Sequence, residues 1–262
     1  MDLNLQNKRA LVCGSTQGIG KAVAVELAKL GASITLVARN EAKLQAVAQE
    51  LDSSQGQQHE FIVADFADPY ELNILVQAYL KEQPQVHILV NNTGGPAGGP
   101  ITEASTDEFI DAFNQHLVAN HLLTTSVIPA MKAAKYGRII NIISTSVKQP
   151  LNGLGVSNTI RGAVASWAKT MANELGQYGI TVNNVLPGST NTGRITAIIE
   201  SRAQKSGRST MEIQQEMEAE IPAKRFAEPE EVAAAAAFLA SPAAAYINGI
   251  NLPVDGGRTG CL

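Results

Sequence analysis

The chain has few cysteines and no cluster of basic residues, and these absences exclude two classes of protein. Among 262 residues there are only two cysteines, Cys13 and Cys261, which can form at most one disulfide. A disulfide-stabilised secreted domain is therefore excluded, and both are expected to be reduced, buried thiols. Twenty Lys and Arg against twenty-four Asp and Glu give a formal net charge of −4 without a basic block, so we expect no nucleic acid partner.

Long apolar runs are also missing. The longest, residues 232–240, is mostly alanine and ends at Ser241-Pro242, well short of the ~20 apolar residues that span a bilayer. We therefore expect no transmembrane helix and no membrane partner. The first nine residues are polar and lack an apolar segment with a cleavage site, so a cytoplasmic location is the default expectation.

Short apolar runs alternate with longer amphipathic segments along the whole chain, which predicts strands and helices in turn. Nearly continuous apolar strands are typical of a parallel sheet covered on both faces. No repeat or change in composition marks a second domain. We predict a single doubly wound (Rossmann) α/β domain over residues 1–262, with a mostly parallel seven-stranded sheet and helices on both faces. The predicted strands are 10–13, 33–38, 61–64, 86–90, 138–143, 181–186 and 250–254. The predicted helices are 18–30, 41–51, 69–81, 106–134, 157–177 and 230–239.

One segment breaks the alternation. Residues 191–227 are polar, rich in Ser, Gln and Glu, and lie between a predicted strand and the last predicted helix. A segment of this length within a compact domain is often functional, so we interpret it as a mobile substrate lid.

A glycine-rich turn, Gly14 to Gly20 (GSTQGIG), joins the first predicted strand to the first predicted helix. Glycines there let the backbone turn tightly and approach a diphosphate, which the free amides and dipole of the helix N-terminus attract. The spacing fits neither Gly-x-Gly-x-x-Gly nor the mononucleotide phosphate loop, and taken alone it is also compatible with an ordinary turn. The residues expected to contact a dinucleotide in this turn are Gly14, Ser15, Gln17, Gly18, Ile19 and Gly20.

Arg39 follows the second predicted strand, where an acid would otherwise bind the ribose 2′-hydroxyl of NAD. A guanidinium at that position would pair with a 2′-phosphate, which favours NADP(H) over NAD(H). A solvated arginine at a strand end is the alternative interpretation.

Several further motifs occur in a fixed order. They are Asp65, Asn91-Asn92-Thr93-Gly94, Ser144, Pro187-Gly188 with Thr192, the stretch 227–233, and Asp255-Gly256-Gly257. Together with the glycine turn they resemble the short-chain dehydrogenase/reductase family over almost the whole chain, and its 3-oxoacyl-acyl-carrier-protein reductases in particular.

The resemblance implies an NADP-linked reduction of a carbonyl compound in a homo-oligomer, a tetramer or dimer. It further implies that Asp65 bonds the adenine amine, Asn91 lies by the adenosine ribose and Thr192 holds the nicotinamide carboxamide, although Asp65 is also compatible with a turn acid. The remaining cofactor residues implied by the resemblance are Thr93, Gly94, Arg161, Pro187 and Gly188.

The catalytic positions depart from the family pattern. The family uses a tyrosine, a lysine four residues later, a serine and an upstream asparagine. Ser144 keeps the serine, but the tyrosine, lysine and asparagine positions hold Ser157, Arg161 and His116. A serine hydroxyl lies nearer its backbone than a tyrosine hydroxyl and is less acidic, and a guanidinium stays protonated near neutral pH.

Two residues are candidates for replacing the missing acid. Lys148 lies four residues after Ser144, and His116 has an unperturbed pKa near ~6.5 that suits proton transfer. The alternatives are a solvated loop lysine and a helix histidine with satisfied hydrogen bonds. Two functions therefore stay open: an NADP(H)-dependent oxidoreductase with an altered active site, and a catalytically silent NADP(H)-binding sensor or scaffold. No metal site is expected.

Overall fold

The computed structural model describes residues 1–261, and in that part of the chain all seven strands pair in parallel in one sheet. The strand order is β3-β2-β1-β4-β5-β6-β7, so the chain winds outward from β1 in both directions. The strands are β1 Arg9–Cys13, β2 Ser33–Ala38, β3 Glu60–Val63, β4 Ile88–Asn91, β5 Gly137–Ile142, β6 Ile180–Pro187 and β7 Asn251–Val254. The predicted doubly wound α/β fold is confirmed, and the sheet is fully rather than mostly parallel.

Helices cover both faces of the sheet because alternate strand residues point to opposite sides. One apolar cluster joins the sheet to α1, α2 and α9, and a second joins it to α3, α5 and α6. The helices are α1 Gly18–Lys29, α2 Glu41–Glu50, α3 Pro69–Glu82, α4 Thr106–Phe113, α5 Ala119–Ala134, α6 Gly155–Leu175, α7 Gly193–Ser206, α8 Thr210–Ala219 and α9 Pro229–Ala240.

The predicted helix 106–134 is not continuous. A π-helical turn, Asn114–Val118, separates α4 from α5 and contains the buried His116. The sequence prediction of one helix did not resolve this turn. Such turns are frequent at functional sites.

The predicted lid is a pair of helices with its own small core. In residues 191–227, α7 packs against α8 through the apolar side chains of Ile199, Ala203, Ile213, Met217, Ile221 and Phe226. The polar composition that suggested a mobile substrate lid is that of the outer faces of these helices. Whether the pair moves as a lid stays a prediction.

The prediction for the two cysteines is half right. Cys13 is fully buried in β1, and burial raises the pKa of its thiol to about 12. Cys261 is exposed, with its Sγ 3.8 Å from the carbonyl oxygen of Lys148, because the chain end lies on the surface. Within residues 1–261 no helix is long and apolar enough to cross a membrane, and no group of three or more acidic, histidine or cysteine residues is arranged to hold a metal ion.

Candidate active site

The carboxyl ends of four neighbouring strands bring the predicted motifs to one edge of the sheet. Strands β1, β4, β5 and β6 are parallel neighbours, so the segments that follow them leave the sheet on the same side. Those segments begin with Gly14, Asn92, Ile143 and Gly188. Ligands of open α/β sheets bind in the crevice outside such strand ends, at the point where the strand order reverses.

The glycine turn after β1 leaves no room for side chains at two of its three glycines. A Cβ on Gly20 would lie 2.2 Å from the Gly14 carbonyl oxygen, and one on Gly14 would lie 2.5 Å from the Asn92 carbonyl oxygen. Gly14 and Gly18 also have φ values of +59° and +54°, a region that residues with a side chain rarely adopt. The turn therefore requires glycine on steric grounds, and the alternative of an incidental glycine-rich loop loses its basis.

Asn92 stabilises this turn through its side chain. The sequence placed Asn92 in a motif but did not predict this role. Its Nδ2 donates to the carbonyl oxygens of Cys13 at 3.2 Å and Gly14 at 3.3 Å. Ser15 is also committed to the scaffold, because its buried Oγ accepts from the Val37 amide at 3.1 Å. The contribution of Ser15 to a ligand is thus limited to its backbone, whereas Gln17 is exposed and Gly94 borders open space.

Arg39 and Asp65 lie at the ends of neighbouring strands, β2 and β3. Nη1 of Arg39 is 3.7 Å from Oδ2 of Asp65, with 74% and 42% of the side chains exposed. An ion pair this exposed contributes little stability, so Arg39 can exchange this partner for a phosphate. Oδ1 of Asp65 accepts from the Ala67 amide at 3.0 Å, which is the role of a turn acid. Oδ2 has only the exposed ion pair with Arg39.

Asn91 belongs to a row of amide side chains that crosses the sheet. Its Nδ2 donates to Oδ1 of Asn141 at 2.9 Å, Asn141 donates to Asn184 at 2.8 Å, and Asn184 donates to Asn251 at 2.8 Å. We call these four residues the asparagine ladder. Asn91 is 2% exposed, and its Oδ1 is buried without a hydrogen-bond partner in the described chain. Its amide donor is thus used within the sheet.

Two serines and one arginine of the predicted catalytic set, Ser144, Ser157 and Arg161, lie around the end of β5. Ser144 begins a short 3-10 turn, and its Oγ accepts from the Ser146 amide at 3.1 Å. Ser157 and Arg161 occupy successive turns of α6 and are each 7% exposed. Nη1 of Arg161 donates to the Ile142 carbonyl oxygen at 3.3 Å, which places the guanidinium beside the strand end that leads to Ser144.

His116 is fully buried, and this corrects the pKa on which its proposed acid role depended. Burial, followed by the positive charges of Arg161 and Arg194, lowers the pKa of the imidazole to about 2. The ring is therefore neutral near pH 7 and cannot act as an imidazolium acid. Its Nδ1 shares a hydrogen bond of 2.5 Å with Oγ1 of Thr93, whereas Nε2 has no partner among the described residues. A neutral ring held in this way acts only as a hydrogen-bond donor or acceptor.

The charge state of Arg161 is equally fixed. Burial lowers the pKa of its guanidinium to about 10, with a further contribution from the charge of Arg194, so it is protonated near neutral pH. Lys148, the second acid candidate, lies half-buried on the loop that follows Ser144.

The first turn of the lid helices closes one side of this edge. The Thr192 methyl group lies 3.1 Å from the position of a Cβ on Gly18, so the lid touches the glycine turn. Arg194 then reaches the loop after β4, donating from Nη1 to the Gly95 carbonyl oxygen at 2.9 Å and from Nη2 to that of Pro96 at 3.0 Å. The sequence analysis did not predict a role for Arg194 at this site. The only signal in the sequence was its position two residues after Thr192. Gly188, which follows β6, donates its amide to the carbonyl oxygen of Val254 in β7 at 2.9 Å.

A small cavity of about 200 Å³ adjoins the loop that carries Ser144. Its lining is mostly polar: Thr145, Gln149, Leu151, Glu220, Arg258 and Thr259. Arg258 and Glu220 form an ion pair of 2.6 Å across it. The C-terminal segment therefore forms one wall and the end of α8 forms another.

Comparisons with known proteins agree with this geometry. Residues 14–259 match the family model described as enoyl-(acyl carrier protein) reductase. The chain is 34% identical over 258 residues to the 3-oxoacyl-acyl-carrier-protein reductase of Vibrio cholerae, covering 97% of this chain and 98% of the relative. It is 29% identical over 254 residues to the NADPH-dependent reductase BacG of Bacillus subtilis, covering 97% and 98%.

A solved structure extends the likeness to three dimensions. L-sorbose reductase from Gluconobacter frateurii, complexed with NADPH and L-sorbose, matches with a TM-score of 0.93 and 32% identity, covering 100% of both chains. The chain therefore belongs to the short-chain dehydrogenase/reductase family, among members that are similar to 3-oxoacyl-acyl-carrier-protein reductases.

Proposed function

We propose that the protein is an NADP(H)-dependent oxidoreductase that reduces a small carbonyl compound with an altered catalytic set. The observation that carries this proposal is the glycine turn, whose Cβ positions are filled by backbone, at the same sheet edge as Ser144 and Arg161. The turn fits a diphosphate because its close approach and its helix N-terminus are those that dinucleotide sites require.

NADP(H) is the cofactor that these residues suit. The end of β2 offers Arg39 for a 2′-phosphate and carries no acid at that position. A relative and a structural neighbour of this chain are described as NADPH-dependent or NADPH-bound. The adenosine end would lie by Asp65 and the loop from Thr93 to Gly94, and the nicotinamide end by Thr192, Pro187 and Gly188. Bound NADPH supplies the hydride for the reduction.

The residues around β5 have distinct roles in this proposal. Ser144 donates its hydroxyl proton in a hydrogen bond to the carbonyl oxygen, since the Ser146 amide already occupies one of its acceptor positions. Arg161 holds a permanent positive charge beside the oxygen that becomes negative and donates to the nicotinamide ribose. His116, neutral and bonded to Thr93, orders the polar edge of the site. Lys148 or solvent delivers the proton, because Ser157 is too weakly acidic.

The test measures NADPH oxidation with a broad panel of ketones, oxo acids and oxo esters. Ser144→Ala should lower kcat by about 10² or more, because positioned proton and hydrogen-bond donors contribute about 10² to 10⁴ in rate. Ser53→Ala, an exposed serine on the loop before β3, is the matched control and should be unchanged. Equal turnover by wild-type protein and Ser144→Ala would remove Ser144 from the mechanism.

Cofactor choice has a separate test. Arg39→Asp removes the partner of the 2′-phosphate and adds an acid for the ribose hydroxyl, so it should reverse the ratio of NADPH to NADH affinity in calorimetry. Arg9→Lys, at the amino-terminal edge of the sheet, is the control and should keep the ratio. An unchanged ratio in Arg39→Asp would assign the preference to other residues.

The second candidate function is a catalytically silent NADP(H)-binding sensor or scaffold. It is favoured by the protonation states of the site, since neither His116 nor Arg161 exchanges a proton near neutral pH. This function predicts NADPH binding without turnover, together with protection of residues 191–227 from proteolysis when NADPH binds. Absence of NADPH affinity would reject both functions.

A homo-oligomer, either a dimer or a tetramer, is also proposed. Ile110 and Phe113 on α4 are 55% and 43% exposed, which is unusual for large apolar side chains on one helix and suits burial against a second copy. Light scattering gives the molar mass directly, and a monomer at micromolar concentration would reject this proposal.

A further inference from the structure

The two buried arginines of this protein differ sharply in how well their charges are satisfied. Arg138 is 3% exposed, and its guanidinium donates to the carbonyl oxygens of Gly137 at 2.9 Å, Gly179 at 3.2 Å and Ser241 at 3.4 Å. It also lies 4.2 Å from the centre of the Tyr136 ring. Arg138 is therefore a structural arginine whose charge is compensated within the fold.

Arg161 is almost as buried but has a single partner. Its Nη1 donates to the Ile142 carbonyl oxygen at 3.3 Å, and no second hydrogen bond, ion pair or aromatic ring is recorded for it within residues 1–261. A guanidinium has five N–H donors, so four are without a protein partner. A buried cation of this kind is costly unless a counter-charge is supplied.

The surroundings of Arg161 supply no such counter-charge. The charged side chain that acts on Arg161 is Arg194, whose positive charge repels it. The nearby His116 is neutral, and Ser144 and Ser157 are uncharged. An anion bound beside Arg161 would supply the missing counter-charge.

The cofactor satisfies this need only in part. Its ribose hydroxyls are neutral, and its diphosphate belongs at the glycine turn, on the side where Thr192 contacts Gly18. Arg161 lies instead beside the end of β5, where the carbonyl substrate would contact Ser144.

We propose that Arg161 binds a carboxylate of the substrate through its planar N–H fork, so that the substrate is a small oxo acid. This inference rests on the proposed function, since it names the substrate class of the same site. A carboxylate suits the site because one guanidinium matches two coplanar oxygens. A lysine would supply charge without this fork.

The test uses charged and uncharged pairs of the same shape. Malonate and dimethyl malonate are titrated by calorimetry into the protein loaded with NADP⁺, and acetoacetate and methyl acetoacetate are compared as substrates with NADPH. Wild-type protein should bind malonate at least about ten-fold more tightly than its diester, as bidentate charge-assisted bonds require. Arg161→Lys keeps the charge but loses the fork, and should reduce this preference about ten-fold.

Arg9→Lys is the control for arginine replacement and should keep the acid preference, since Arg9 pairs with Glu60 at the opposite edge of the sheet. Equal binding of malonate and its diester by wild-type protein would overturn the inference, as would an unchanged preference in Arg161→Lys. Malonate binding that is unchanged in Arg161→Gln would likewise overturn it.

The outcomes separate this inference from the proposed function. Malonate binding that depends on Arg161, in a protein that turns over no carbonyl compound, supports the acid site and rejects the reductase. Turnover of methyl acetoacetate and acetoacetate at equal kcat/KM supports the reductase and rejects the acid site.

Discussion

The neutral state of buried His116 makes the stability of the protein depend on pH in a defined direction. Its pKa is about 2 in the folded chain and near ~6.5 when exposed to solvent after unfolding. Because the folded-state pKa is the lower one, the unfolded chain binds an extra proton below pH 6.5. The contribution of His116 to stability is thus fully present above that pH and is lost as the pH falls toward 2.

The magnitude follows from this difference in pKa. One pH unit corresponds to about 1.4 kcal/mol for a group protonated only in the unfolded state. We therefore expect His116 to lower the free energy of unfolding by about 1.4 kcal/mol at pH 5.5 and about 2.7 kcal/mol at pH 4.5, relative to pH 7.5. Other titrating groups act at the same time; His87, for example, has a pKa lowered by burial and then by Lys8 and Arg9.

The variant His116→Asn isolates the effect, because the amide is smaller than the imidazole but polar and does not titrate. Urea unfolding followed by circular dichroism gives the free energy of unfolding of both proteins at pH 7.5, 6.5, 5.5 and 4.5. The difference between wild-type and variant should fall by about 1.4 kcal/mol for each unit below pH 6.5, whereas the other groups cancel. A difference that is independent of pH would refute the neutral histidine and restore it as an acid candidate.

Three further perturbations test the scaffold of the site. Asn141→Leu breaks two bonds of the asparagine ladder inside the sheet and should lower the free energy of unfolding by about 2–4 kcal/mol in urea, whereas Asn251→Ala at the end of the ladder breaks one bond and should cost less. In Gly20→Ala the new Cβ would lie 2.2 Å from the Gly14 carbonyl oxygen, so calorimetry should show NADPH affinity at least about ten-fold lower with an unchanged circular dichroism spectrum. Arg194→Met removes both bonds between the helix pair of residues 191–227 and the loop after β4, and should speed proteolytic cleavage within those residues. An unchanged cleavage rate would show that these bonds do not hold the helix pair in place.

The fold could be predicted because its signals are local. Apolar strands of four to eight residues, amphipathic helices and a turn that tolerates only glycine are each written in adjacent residues. The seven strands appear within one or two residues of the predicted bounds. Two features were not predicted. The π turn at residues 114–118 lies inside a stretch that was predicted as one helix, and the polar outer faces of α7 and α8 conceal their small core.

The sequence predicted which residues lie at the site, but not their protonation states or hydrogen bonds. The positions of Ser144, Ser157 and Arg161 follow from spacing, and the structure places them around the end of β5. The pKa of His116 depends on burial and on cations from two other elements, which no local pattern encodes. The asparagine ladder depends in the same way on the register of four strands.

Fixed protonation is the property that distinguishes this site from one built around a titrating acid. His116 stays neutral above pH of about 2 and Arg161 stays charged below a pH of about 10, so neither changes state over the range in which the protein would work. Such a site can hold a negative charge that develops on a carbonyl oxygen, because the positive charge needs no rearrangement. It cannot itself supply the proton. In the proposed reductase the proton comes from Lys148 or from solvent, and the supply of that proton decides between a slow reductase and a silent sensor.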